Sequence, residues 1–407
     1  MTRRHHRLVF CTLAIVVNGW FLFGCVHEWP GITWLPDSSG LVFVADLEMK
    51  ENQTGSEAAT LHLFDLASGT DRVLLADTGT ATFRPAVSPD GQSIALAKVD
   101  AYPHKPATLT IILLDRQGKE RKRTAAFPVA PTPPVAPLSK NGKPVTKKSE
   151  LGPAWLAWDK NSNKLIVFGM AFGTASYDPA TDQLRLFGGN PPVRMGQGAV
   201  PPDRKGVLLL DASDKTPDNA VILSLVEWDG TRHPILIHPV PADPEDREKQ
   251  YLEPLLYLSY FPFSWEGGTA LAVGRKGTLR IDTAAGQATF KPRSAAEDPM
   301  VDGKPLFLTH TFPDTKQQLR FLGILAEYTD EQGNKQRGEF LEVELFDSAR
   351  GARKTVLPRI PVLSHIDVAP SGKLVALRGG GKQRNDHIWV VDSHGELRAD
   401  FAVGKKK

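Results

Sequence analysis

The chain has 407 residues, 49 Lys and Arg against 46 Asp and Glu, 41% hydrophobic residues and 2 cysteines. The apolar content suffices for a sizeable core, and the near-neutral charge excludes the basic stripe that nucleic-acid binding needs. Both cysteines, Cys11 and Cys25, lie near the start, so the rest of the chain has no disulfide and depends on core burial.

The first element is a targeting segment. MTRRHHR carries Arg3, Arg4 and Arg7, and LVFCTLAIVVNGWFLF after it is an apolar run of 16 residues. That is short of the roughly 20 residues a bilayer-spanning helix requires. A basic start, an apolar centre and a small residue at the boundary predict a secretory signal over residues 1–24. Its end, Leu22-Phe23-Gly24-Cys25, resembles the lipobox of bacterial lipoproteins. The resemblance implies cleavage between Gly24 and Cys25 and lipid attachment to the Cys25 sulfur. The mature protein would then sit in the cell envelope, facing the periplasm or the exterior. Val26 lacks the Asp that marks inner-membrane retention, which favours the outer membrane. Removing the signal leaves 46 basic and 46 acidic residues. The general and the twin-arginine export routes both stay open.

Beyond the signal, one pattern recurs. AVSPDGQSIALA, residues 86–97, reads as an apolar arrival, a Ser88-Pro89-Asp90-Gly91 turn and an alternating return strand. Related hairpins fall at 32–45, 156–169, 198–211, 263–274, 309–323 and 366–379. After each comes a short apolar strand ending in Asp at a turn: Asp65, Asp115, Asp178, Asp229, Asp282, Asp347 and Asp392. Hairpin, Asp strand and a further strand make a four-stranded antiparallel unit, and its repetition is the signature of a β-propeller. A four-stranded sheet has two apolar faces and buries both only between neighbours.

The run of apolar residue, x-Pro-Asp-Gly, alternation and apolar-apolar-Asp resembles the WD-like repeat of TolB-type periplasmic proteins. It is closest at 83–97 and 366–394. The resemblance implies an all-β, seven-bladed β-propeller of four-stranded blades, with six blades as the alternative. Blades are expected at about 31–80, 81–127, 151–190, 195–240, 256–292, 305–358 and 361–404, with a Pro-rich strap at 128–150. Each blade would be contiguous in sequence. The Asp residues read as turn formers, and Trp34, Trp158 and Trp265 as core.

Chemistry is sparse. His233 and His238 lack Cys or close acidic partners and make weak zinc candidates, so no metal and no cofactor is expected. No Gly-x-Ser-x-Gly elbow is present. GGGKQRND, 379–386, has no helix pattern after it to make a phosphate loop. Asp386-His387 reads as structural, and 243–256 as a turn or two of helix within an insertion.

Connections of the second-to-third and blade-to-blade kind are the long ones: 46–59, 100–107, 128–150, 241–256, 291–304 and 328–338. They put Tyr102, His104, Arg194, Tyr251, Tyr328, Arg384 and Asp386 on one rim as candidate binding residues. The sequence thus predicts a monomeric, lipid-anchored scaffold with a membrane contact and a protein, peptide or envelope-polymer partner. The competing class is a propeller enzyme, a carbohydrate lyase or hydrolase, with Tyr102, His104, Arg194, Arg384 and Asp386 converging at a funnel.

Overall fold

The computed structural model describes residues 31–45, 60–76, 82–102, 105–129, 154–159, 163–169, 173–186, 206–212, 220–227, 231–239, 264–266, 269–274, 277–282, 284–292, 300–329, 333–380 and 386–403. Among these every regular element is a strand, and the strands form seven sheets.

The first sheet is β1 (Ile32–Trp34), β2 (Gly40–Ala45), β3 (Thr60–Asp65) and β4 (Thr70–Leu75), antiparallel and in chain order. The next arriving segment is divided at Pro85 into β5 (Thr82–Arg84) and β6 (Ala86–Val87). In the second sheet β6 pairs with β7 (Ile94–Tyr102), and β7 with β8 (Lys105–Leu114). The far edge of β8 carries both β9 (Glu120–Arg123) and β10 (Phe127–Val129). β5 instead lies parallel to β11 (Ala154–Trp158), at the edge of a third sheet completed by β12 (Leu165–Gly169), β13 (Gly173–Asp178) and β14 (Gln183–Leu186). Proline has no N–H to donate, so one ladder does not run through Pro85 and the strand changes sheets there. This departs from the expectation that each unit is contiguous.

The fourth sheet has β15 (Gly206–Ala212), β16 (Ala220–Glu227) and β17 (Arg232–Pro239). The fifth has β18 (Ser264–Glu266), β19 (Thr269–Gly274), β20 (Gly277–Asp282) and β21 (Gln287–Pro292). The sixth runs through β22 (Met300–Val301), β23 (Lys304–Thr311), β24 (Gln318–Thr329), β25 (Lys335–Asp347) and β26 (Ala352–Ile360). The seventh is β27 (Val362–Val368), β28 (Leu374–Gly380), β29 (Asp386–Asp392) and β30 (Leu397–Ala402).

Burial explains the stacking. GLVFVA in β2 is buried at every position, on both faces of the pleat, and β28 is nearly so. Such strands need a neighbouring sheet on each side. The last strands, β4 and β30, are mostly exposed and close the sheets towards water. Val42, Val44 and Leu61 pack on Ile94, Leu96 and Ile112, joining sheets one and two. Ala95, Ile111 and Leu113 meet Leu165, Val167 and Tyr177 between sheets two and three. Phe321, Val343 and Leu345 meet Val375, Leu377 and Trp389 between sheets six and seven. The last sheet then packs on the first, with Ile388 and Val390 against Ile32, Leu41 and Phe43.

Two segments expected to be long loops are strands. Residues 100–102 and 105–107 belong to β7 and β8, where Tyr102 pairs with Lys105. Most of 328–338 belongs to β24 and β25, paired out to Thr329 and Lys335. Polar residues at a hairpin tip look like a loop in sequence, but two strands of matching length keep pairing whatever their outward side chains. Residues 46–59, 130–150 and 241–256 lie outside the described residues, and with them the strap and the short helix expected there.

Candidate functional site

The hairpin turns and the Asp turns gather on one rim. Ser371 N–H donates to Ser38 Oγ at 3.1 Å, turn to turn between sheets seven and one. Ser393 Oγ donates to Asp314 Oδ2 at 3.1 Å between sheets seven and six. Arg116 donates to Gly91 O at 2.7 Å and to Asp37 at 3.1 Å, tying sheet two to sheet one.

The carboxylates on this rim are occupied by their own turns. Asp65 accepts from Ser68 N–H, Asp115 from Gln117 and Lys119, and Asp178 from Ala180. Asp282 accepts from Ala285, Asp347 from Ala349, and Asp392 from His394 and Glu396. Asp229 lies outside the described residues. In the SPDG turn, Asp90 bonds Ser88 Oγ at 2.5 Å and Gln92 N–H at 2.9 Å. Those bonds, the Ser88 hydroxyl first, hold its carboxyl below the usual range. Gly91 has φ +68°, the left-handed conformation that favours glycine. This rim is built of satisfied turns.

The opposite ends of the strands form the other rim, where the two extended hairpins project. Along β24 and β25, Ile324 pairs with Phe340, Ala326 with Gly338 and Tyr328 with Gln336. The Tyr328 and Phe340 rings meet edge-on, with centroids 5.8 Å apart. Leu325, on the other face, is 62% exposed.

A third polar group lies where the first strands of sheets seven, one and two meet. The first hairpin bonds, Leu35 N–H to Gly40 O, Ser88 N–H to Ser93 O and Ala369 N–H to Leu374 O, align the three repeats. Gly31, Arg84 and His365 then hold the same place, and Thr33, Ala86 and Asp367 another. Arg84 crosses the glycine: a Cβ on Gly31 would come within 2.9 Å of Arg84 Cγ. Beyond it, Arg84 Nη2 donates to Asp367 Oδ2 at 2.8 Å, so a side chain of β5, at the edge of sheet three, is paired with one of sheet seven. Thr33 Oγ1 donates to Pro85 O at 2.7 Å and lies 3.4 Å from Arg84 Nε. Trp34 Nε1 donates to Asp367 O at 3.0 Å.

Deeper, Arg378 is fully buried. Its Nε donates to Asp386 Oδ1 at 2.9 Å, Nη2 donates to Asp386 Oδ2, and Nη2 donates to Val44 O of sheet one at 2.7 Å. Within electrostatic reach of both guanidiniums is His365, 5% exposed. It hydrogen-bonds the Ile32 backbone, and its Nε2 has no partner among the described residues. Burial, then Arg84 and Arg378, press its basicity far below that of a free imidazole. Burial pushes the Asp367 carboxyl up, with Arg84 opposing. Two guanidiniums, two carboxylates and a neutral imidazole balance, so the group offers no net charge to a ligand.

Of the residues singled out from sequence, Asp386 accepts from the buried Arg378. Tyr328 lies on the projecting hairpin, and Tyr102 ends β7. Gly24, Cys25, His104, Arg194, Tyr251 and Arg384 lie outside the described residues. His233 has an acidic partner after all, Glu227 at 2.9 Å on the adjacent strand, and both are exposed. Among the described residues no group of three or more His, Cys, Asp or Glu is arranged to hold a metal. His387 bonds Asp400 at 2.5 Å and stacks on Trp389. Sequence reasoning missed Arg84, His365, Asp367 and Arg378. The available signal was positional: Arg378 and His365 stand among the mostly apolar residues of β28 and β27.

No family model matches the chain, and no curated protein does. Several solved structures are similar in shape. One is a candidate 6-phosphogluconolactonase from Bacteroides uniformis: TM-score 0.46, 12% identity, covering 90% of this chain and 97% of that one. Another is the dihydro-heme d1 dehydrogenase NirN: TM-score 0.44, 16% identity, covering 92% and 66%. A third is the hydrazine synthase of Kuenenia stuttgartiensis: TM-score 0.34, 11% identity, covering 91% and 78%. At such values no property of those proteins passes to this chain. The described residues define an all-β protein built of antiparallel sheets, commonly of four strands.

Proposed function

We propose that this is an envelope lipoprotein, anchored through Cys25, whose sheets form a seven-bladed propeller serving as a binding scaffold. The observation that carries the propeller is the packing of the last sheet on the first, with Arg84 reaching across the inner strand of sheet one to Asp367. Ends that meet in this way suit a ring. The binding reading is supported by the division between rims. The turn rim spends its carboxylates on its own backbone, whereas the far rim carries the projecting β24–β25 hairpin with exposed Leu325. The partner class is a protein, peptide or envelope polymer.

The anchor is tested by Cys25→Ser. The variant should leave the membrane fraction or stay unprocessed, and unchanged retention with unchanged mass refutes the anchor. The binding face is tested by Tyr328→Ala and Leu325→Ala against a partner cross-linked in the native envelope. A hot-spot aromatic should cost about 2 kcal/mol of affinity, roughly thirtyfold. Loss confined to Asp90→Ala, in a folded protein, would move the binding face to the turn rim.

A further inference from the structure

The junction of the first and last sheets differs from an ordinary sheet contact in holding a buried, ionisable side chain, His365, near two guanidiniums. We propose that this junction is an acid-sensitive latch: the Arg84–Asp367 bridge, which runs from β5 over Gly31 to sheet seven, and the buried His365 keep sheets one and seven closed on each other, and protonation of His365 releases them. The inference concerns only this contact and does not depend on how many sheets lie between its two sides.

The groups facing His365 come from every neighbouring element. β5 supplies Arg84, β27 itself Asp367, and β28 Arg378, which is bound in turn to Asp386 of β29. β1 brings the Ile32 backbone and β2 the Val44 carbonyl that Arg378 grips. The Phe43 ring of β2 lies 5.8 Å from the Arg378 guanidinium. A proton on His365 would make a third cation in a closed space where two carboxylates already serve two guanidiniums. Like charges at close range in a poorly solvated site repel strongly, and the imidazolium also loses its hydration there. Separating the sheets admits water to all three cations.

Only the closed state disfavours the proton, so the sign is definite. A folded-state basicity below the unfolded value of about 6.5 leaves the closed junction at full strength above that pH. Each further pH unit downwards costs up to about tenfold in the opening equilibrium until the folded value is reached. Asp367 acts in the opposite sense, because burial penalises its anion and acid relieves that penalty.

Amide hydrogen exchange on the full chain, corrected for intrinsic rates, reads the opening locally. Between about pH 7.5 and about pH 5, protection of β1 and β27 should fall, by up to about thirtyfold, while β12 and β13 of sheet three keep theirs. His365→Gln should abolish this release. Release that persists in His365→Gln, or a loss of equal size in sheet three, overturns the proposal. Should His365→Gln not fold, the wild type decides alone. Release confined to β1 and β27 sustains the latch, and a uniform fall or none refutes it.

Discussion

Two contacts of the first sheet follow opposite chemistries. Against sheet two it is joined by side chains such as Leu35, Val42, Leu61, Ile94, Leu96 and Leu114, an all-apolar cluster. Against sheet seven it has an apolar layer as well, but beside that layer lie Arg378, Asp386, His365, Arg84 and Asp367. Neighbouring sheets one and two are close in sequence, and apart from polar ties such as the Arg116–Asp37 pair on their turn rim they are joined by non-directional burial. Sheets one and seven come from opposite ends of the chain. A contact over such separation gains from directional pairs that accept one register, a use for which buried polar groups are best attested.

The largest expected effect separates the two contacts most clearly. Asp386→Ala leaves the fully buried Arg378 guanidinium without its carboxylate and should cost about 3–5 kcal/mol in urea unfolding. Stability that hardly changes would mean that the Arg378–Asp386 pair does not hold this contact. Leu96→Ala, in the apolar contact, should cost about 3 kcal/mol through lost burial and a cavity. That loss should be insensitive to salt, whereas the losses at the other contact should not.

A smaller effect belongs to the exposed part of the latch. Arg84 and Asp367 retain 31% and 15% side-chain exposure, so water screens their bridge. A double-mutant cycle of Arg84→Met with Asp367→Asn should give a coupling of about 1 kcal/mol. A coupling near zero would mean that the Arg84–Asp367 bridge does not help to join the sheets. The smallest is Asp90→Ala on the turn rim, expected to cost about 1 kcal/mol through lost turn bonds. Because those bonds hold the Asp90 carboxyl below its ordinary 3.8, their contribution is present above that value and is lost as pH falls through the folded value. The wild type and Asp90→Ala should therefore converge in stability in strong acid.

What the sequence determined by itself is local. Alternation, the x-Pro-Asp-Gly turn and the Asp ending each third strand all act within about ten residues, where the backbone's own hydrogen bonds decide the outcome. The hairpins at 32–45, 86–97 and 366–379 and the Asp turns at 65, 115 and 392 are accordingly present. Local reading failed where local signals were weak: the polar tip of 328–338 hides strands that continue because each pairs with the other. The tertiary structure alone decided the latch. Arg84 and Asp367 are 283 residues apart in sequence, and Arg378 and Val44 334. No spacing rule reaches that far. Arg84 finds its partner because Gly31 lacks a side chain where it must pass and because the last sheet packs against the first.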